Sequence, residues 1–164
     1  MRGLPAIRAA IGFGLSMLAL TALAAPQTLA RDSYAHIRAR YADKPLVVHI
    51  WGMTCGPCLK ELPSWGALLD RRADLNLVLI QADVSPASAS EQTLAAAGLG
   101  GLDNWRAQET PSEFMRASID PTWRGEIPRT LLVAPNGKTM VLQGIADLAT
   151  VSRWLDSLGP RRMR

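Results

Sequence analysis

Two residue types central to metal and thiol chemistry are scarce in this 164-residue chain, which has two cysteines, Cys55 and Cys58, and two histidines, His36 and His49. A four-coordinate zinc site of the Cys/His type would have to use all four, and no second CxxC exists, so no metal site is expected. Excess charge of either sign is also missing once the N-terminus is considered. Residues 25–164 carry 16 Lys/Arg against 14 Asp/Glu, a net of +2, and three of those positives (Arg161, Arg162, Arg164) sit in the last four residues. That balance gives no footprint for nucleic acid, and the basic end reads as a solvated tail over 161–164. There is no internal repeat. With 48% apolar and 20% charged residues, the composition is globular and excludes a disordered or fibrous chain.

What is present begins with a targeting pattern. Arg2 and Arg8 precede 17 uncharged residues from Ala9 to Ala25, and Ala22-Leu23-Ala24 supplies small residues around a cut after Ala24. This reads as a Sec-type signal peptide over residues 1–24, with no Arg-Arg pair before the run. No Cys lies near the cut, which excludes a lipoprotein. A retained anchor is the alternative, because 17 residues with two Gly, a Ser and a Thr lie at the lower limit for spanning a bilayer. The ratio of 15 Arg to 3 Lys suggests a GC-rich bacterial genome, so export would mean the periplasm. In such an oxidising compartment two closely spaced cysteines are expected to be a deliberate pair.

The mature region, 25–160, reads as one domain. Ala30, Tyr34, Ile37 and Tyr41 recur at helical spacing, with Thr28 as a cap and His36 on the exposed side. Residues 46–51 (LVVHIW) form a strand covered on both faces. A helix follows over 55–70, with Leu59, Leu62, Trp65, Leu68 and Leu69 inward and Pro63 kinking it. Residues 75–82 give a second strand, 88–97 and 111–118 two helices, and 100–107 a loop or short strand. Pro135-Asn136-Gly137 joins strands 129–134 and 138–143 as a hairpin. Leu148, Val151, Leu155 and Leu158 close the chain as a helix capped by Asp147. Strands alternating with helices predict an α/β sandwich with a mixed sheet.

Cys55-Gly56-Pro57-Cys58 sits at the junction of strand and helix. Spacing i, i+3 puts both sulfurs on one helical face, the first where the free N–H groups and the positive dipole end stabilise a thiolate. Cys55 is therefore expected to be the exposed nucleophile and Cys58 the buried resolving thiol. A structural disulfide and half of a zinc site are the plainer alternatives. The first would remove only about 2 kcal/mol of chain entropy from so short a loop.

With LVVHIWGMTCGPCLKELP followed about 70 residues later by GEIPRTLLVAPNGK, the chain resembles the thioredoxin-fold periplasmic thiol-disulfide oxidoreductases of the TlpA/ResA/DsbE group, over roughly residues 46–158. The resemblance implies a thioredoxin-like sandwich: a central mixed β-sheet flanked by helices, with a helical insertion before the cis-proline strand. It implies a cis Ile127–Pro128 peptide facing the cysteines and places Glu61 where such proteins tune thiol pKa values. It also assigns client contact to Gly56, Pro57, Ile127 and Trp51. Two departures stand out: Met53-Thr54 replaces the Trp before the first Cys, and His49 occupies the position of thioredoxin's buried acid. His49 is either an inert buried imidazole or a relay for the Cys58 proton.

The function expected from this resemblance is periplasmic disulfide reduction of protein thiols, such as those of apocytochrome c or a copper site, by a protein without a cofactor. Gly-Pro between the cysteines matches the reducing thioredoxins. A membrane donor of the CcdA/DsbD type would supply electrons, and a monomer is expected. The rivals are a Cu(I)-binding module using the same thiolates and a net disulfide oxidant.

Overall fold

The computed structural model describes residues 27–159; the expected signal peptide and the basic tail lie outside the described residues. In chain order the elements are β1 (Gln27–Thr28), α1 (Ser33–Arg40), β2 (Leu46–Trp51), α2 (Gly56–Arg71), β3 (Leu77–Gln81) and α3 (Ala87–Ala96). There follow β4 (Asn104–Arg106), α4 (Glu113–Ile119), β5 (Arg129–Val133), β6 (Thr139–Gln143) and α5 (Leu148–Ser157). The six strands form one sheet in the order β1-β4-β3-β2-β5-β6. β1 through β2 run parallel, whereas β5 and β6 are antiparallel to their neighbours.

Alternation along the strands divides the core into two layers. Val47, Trp51, Leu77, Leu79 and Leu132 face Leu62, Trp65 and Leu68 of α2, Leu94 of α3, and Val151 and Leu155 of α5. Val48, Ile50, Val78, Ile80 and Leu131 face Ile37 of α1 and Ile119 of α4. β2 lies at the centre of the sheet and is buried at all six positions, as its unbroken apolar run requires. α2 packs so close to the end of α3 that a Cβ on Gly66 would lie 1.8 Å from the carbonyl oxygen of Ala97. Only glycine fits there. α3, β4 and α4 form the expected insertion between β3 and the strand that follows the cis-proline.

One N-terminal expectation is corrected. Thr28 does not cap a helix; with Gln27 it forms an edge strand parallel to β4, registered on Trp105 and Arg106. α1 instead begins at Ser33 after Asp32, which makes no side-chain cap bond. The edge of β4 offers unpaired backbone groups, and that tertiary partner outweighs the local cap preference. α2 runs on through Pro63, starting one residue later than expected with Cys55 as its cap. Asp147 does cap α5, accepting from the Ala149 amide at 3.0 Å.

Candidate active site

β2 delivers the chain to Gly52, and a tight turn then carries it to Cys55, whose amide donates to the Gly52 carbonyl at 3.3 Å. Cys55 caps α2, its Sγ accepting from the Cys58 amide at 3.2 Å. The two cysteines form a disulfide with an S–S distance of 2.07 Å. Cys55 is half-buried and Cys58 wholly buried. Only the first sulfur can therefore meet a partner from solvent, and it does so at the positive end of a helix.

The antiparallel register of β2 and β5 ends with Ile50 opposite Arg129. Continued by two residues, it brings Pro128 beside Trp51 and Ile127 beside Gly52. A Cβ on Gly52 would lie 3.0 Å from Ile127 Cδ1. The Ile127–Pro128 peptide is cis. The loop leading into it is held by Arg129, which donates to Asp120 at 2.9 and 2.7 Å, to Thr122 at 2.6 Å and to Glu126 at 2.9 Å. Burial alone would raise the Asp120 pKa, but the Thr122 amide and the Arg129 guanidinium hold it below the usual carboxylate range.

Behind Cys58 lies a buried polar cluster. Glu61, one helical turn along α2, accepts from the Ala146 amide at 3.0 Å through Oε2. Its Oε1 is 3.5 Å from His49 Nε2, with side-chain exposures of 5% and 0%. The other His49 nitrogen, Nδ1, lies 3.0 Å from Thr130 Oγ1, its register partner on β5. The ring also packs on Trp65 at 5.1 Å between centroids. His49 Nε2, Glu61 Oε1 and Trp65 Nε1 are all buried without an aligned hydrogen-bond partner. Burial pushes the His49 pKa down to about 3, so the imidazole is neutral at any working pH. It pushes Glu61 up, against the Ala146 amide and the nearby Trp65 indole, which favour its charged form. A cleft of about 360 Å³ lined by Lys60, Ser64, Ile145 and Ala146 opens beside Glu61.

Ahead of Cys55 stands Asp83, just beyond the end of β3, a residue that no sequence motif marks. Its Oδ2 accepts from the Thr54 amide at 2.6 Å and from the Thr54 hydroxyl at 2.8 Å. The signal that locates it is parallel pairing: Trp51 opposite Gln81 brings residue 83 level with the turn after β2. Thr130 and Ala146 were missed for a similar reason, since each reaches the site through tertiary packing.

Gly56 and Pro57, both exposed, lie between the two cysteines, and the half-buried Ile127 lies against Gly52. Trp51 departs from its expected role in client contact. It is fully buried, and its indole N–H donates to Asn104 at 3.4 Å, so it supports the site from inside the core. Its strand position faces it toward α2, where an apolar ring gains most from burial. His36 is exposed on α1, bonded to Asp32 at 3.1 Å.

No family model matches the chain. A thioredoxin from Streptomyces clavuligerus is 32% identical over 50 residues, 30% of this chain and 47% of that protein. The match thus spans about half the length of that relative. Among solved structures, a thioredoxin-family thiol:disulfide interchange protein from Chlorobium tepidum superposes with a TM-score of 0.61 at 16% identity, over 74% of this chain and 83% of that one. A secreted Mycobacterium tuberculosis disulfide oxidoreductase homologous to DsbE gives 0.59 at 17%, over 73% and 86%. StoA from Bacillus subtilis gives 0.54 at 19%, over 69% and 83%. At these identities the likeness establishes the architecture, and the chemistry rests on the residues above. The chain thus has a thioredoxin-like fold, with a disulfide of CXXC spacing at the start of α2.

Proposed function

We propose that this protein is a thiol-disulfide oxidoreductase that works mainly as a protein disulfide reductase in the periplasm. The observation that carries the reading is the asymmetry of the pair: a half-buried Cys55 at a helix N-terminus joined to a wholly buried Cys58. In the reduced protein the Cys55 thiolate attacks one sulfur of a client disulfide, forms a Cys55–client disulfide and expels the other client sulfur. Cys58 then gives up its proton and attacks Cys55 Sγ, closing the internal disulfide and releasing the second client sulfur. Two electrons pass to the client, and the two protons of the dithiol end on the client thiols. Ile127 has no backbone hydrogen bond among the described residues, so an extended client segment can pair there.

Glu61 serves as the acceptor for the Cys58 proton in this account. Its raised pKa brings it closer to that of a thiol than an exposed carboxylate would be. Neutral His49 is a poor base; it lies against the carboxylate from β2 without an aligned hydrogen bond, the Ala146 amide holds the other carboxylate oxygen, and the cleft beside Glu61 opens a path for the proton to water. The Gly-Pro insert supports the reducing direction. Candidate clients are the cysteines of apocytochrome c or of a copper site in their disulfide form, with a membrane donor of the CcdA/DsbD type restoring the dithiol. Export rests on the sequence of residues 1–24; among the described residues no helix is long and apolar enough to cross a membrane.

The test is turnover of a disulfide-bonded model protein with dithiothreitol as electron source. The reading predicts turnover in the wild type, none in Cys55→Ser, and a trapped mixed disulfide in Cys58→Ser. Equal activity in wild type and Cys55→Ser would overturn it.

A further inference from the structure

The carboxylate on the other side of the disulfide has a purpose that the exchange chemistry does not itself require. We propose that Asp83 is a positioning residue of the redox centre: it grips the turn that carries Cys55 and sets an uncompensated negative charge beside that thiol, weakening its thiolate and favouring the disulfide.

The construction around Asp83 is specific. Oδ2 takes both the amide and the hydroxyl of Thr54, the residue immediately before the nucleophile. Oδ1 accepts from Gln81 Nε2 at 3.1 Å. Gln81 is wholly buried, and its own orientation is imposed: Arg106 Nε donates to its Oε1 at 3.3 Å, so its amide N–H groups must turn toward Asp83 and Ser85. A chain of hydrogen bonds thus runs from Arg106 on β4 through Gln81 on β3 to Asp83, Thr54 and the turn. A Cβ on Gly52 would lie 2.9 Å from the carboxyl carbon, which shows how closely the carboxylate lies against the turn backbone.

The charge is not cancelled on the spot. Among the described residues no cation bonds to Asp83; Arg106 reaches it only through the neutral Gln81. Burial would raise the Asp83 pKa, but the amides of Thr54 and Met53 with the Gln81 and Thr54 side chains hold it below the ordinary value. It is ionised wherever the enzyme works. A fixed anion disfavours a neighbouring thiolate and so opposes the helix N-terminus that favours it. Weakening the reduced, thiolate-bearing form drives the couple toward disulfide, which makes it the stronger electron donor.

This inference rests on the thiol-disulfide reading, and its test separates the two. Cys55 thiolate is followed by ultraviolet absorbance against pH, and the equilibrium constant with glutathione is measured, in wild type, Asp83→Asn and Thr54→Val. Asp83→Asn removes the charge while leaving an oxygen for the Thr54 amide; Thr54→Val removes only the hydroxyl bond. The expected result is an Asp83→Asn thiol that ionises at lower pH, with about tenfold more thiolate at a given acidic pH and an equilibrium moved toward dithiol. Thr54→Val should change either quantity by less than about twofold. Unchanged ionisation in Asp83→Asn, or equal changes in both variants, would overturn the proposal. Asp83→Ser supplies the same neutral contrast should Asp83→Asn not fold. A wild type that does not exchange with glutathione would refute the functional reading, while the ionisation arm would still decide the role of Asp83.

Discussion

Two carboxylates flank the disulfide, and they are held in opposite ways. Glu61, behind Cys58, is buried, receives one backbone amide and faces a neutral imidazole, so its proton is held more tightly than usual. Asp83, ahead of Cys55, is half-buried and receives the Thr54 and Met53 amides and two side-chain donors, so its proton is held less tightly. Residue type is nearly the same in both places. The number of donors offered to the charged form decides the difference, and it underlies the two roles proposed: a group that trades a proton behind the resolving thiol, and a fixed charge in front of the attacking one.

The largest test silences both. Cys55→Ser should lower turnover of a disulfide-bonded model protein by on the order of a thousandfold or more, leaving neither carboxylate any effect on what remains. Turnover surviving in that variant would mean that the carboxylates flank no reaction.

The next test concerns the imidazole that makes the rear side neutral. The folded His49 pKa of about 3 lies below its ordinary value, so the folded state resists protonation that the unfolded chain accepts. The stability tied to this group is therefore intact above about pH 6.5 and is lost as pH falls from there toward 3. Urea unfolding across that range should show a loss on the order of a few kcal/mol in the wild type. A neutral His49→Gln variant should show a flatter profile. Identical profiles would place no burden on His49.

Glu61→Gln sharpens the contrast from the other direction. A neutral side chain cannot accept the Cys58 proton, so the step that closes the internal disulfide should slow about tenfold or more. Because the folded Glu61 pKa is raised, the wild type is destabilised as pH rises through the carboxylate range and above. The Gln variant should therefore gain stability relative to wild type at neutral pH and show no gain in acid. Asp83→Asn, by comparison, should act on Cys55 and leave the rate of the Cys58 step within about twofold. Stopped-flow measurement of the two steps checks both, and the same response from both variants would erase the distinction.

Much of this frame was legible in the chain, for physical reasons that also explain the remainder. The run 46–51 is a strand because six apolar-compatible residues with two β-branched valines can be buried on both faces, and those bounds match β2. The Asn-Gly turn and the Asp147 cap announce the hairpin and the last helix through local chemistry. The Cys55–Cys58 spacing needs only one turn of helix. β1 and β4 were harder, since two- and three-residue strands have no periodicity and exist because a neighbouring strand offers them an edge. The meeting of His49 with Glu61 depends on α2 lying across β2, and the meeting of Asp83 with Thr54 on the parallel register of β2 and β3. Helical spacing placed Glu61 near Cys58, but no spacing rule brings residues 49 and 61, or 54 and 83, together.

The proposed reductase function requires the reduced Cys55/Cys58 dithiol to give its electrons readily to client disulfides. Its most direct test is the reduction potential of the Cys55/Cys58 couple, measured by equilibration in glutathione and dithiothreitol buffers. A value near or below about −230 mV, toward that of thioredoxin, is the result expected of a reductase. A value toward about −120 mV would contradict the account and make the protein a donor of disulfides.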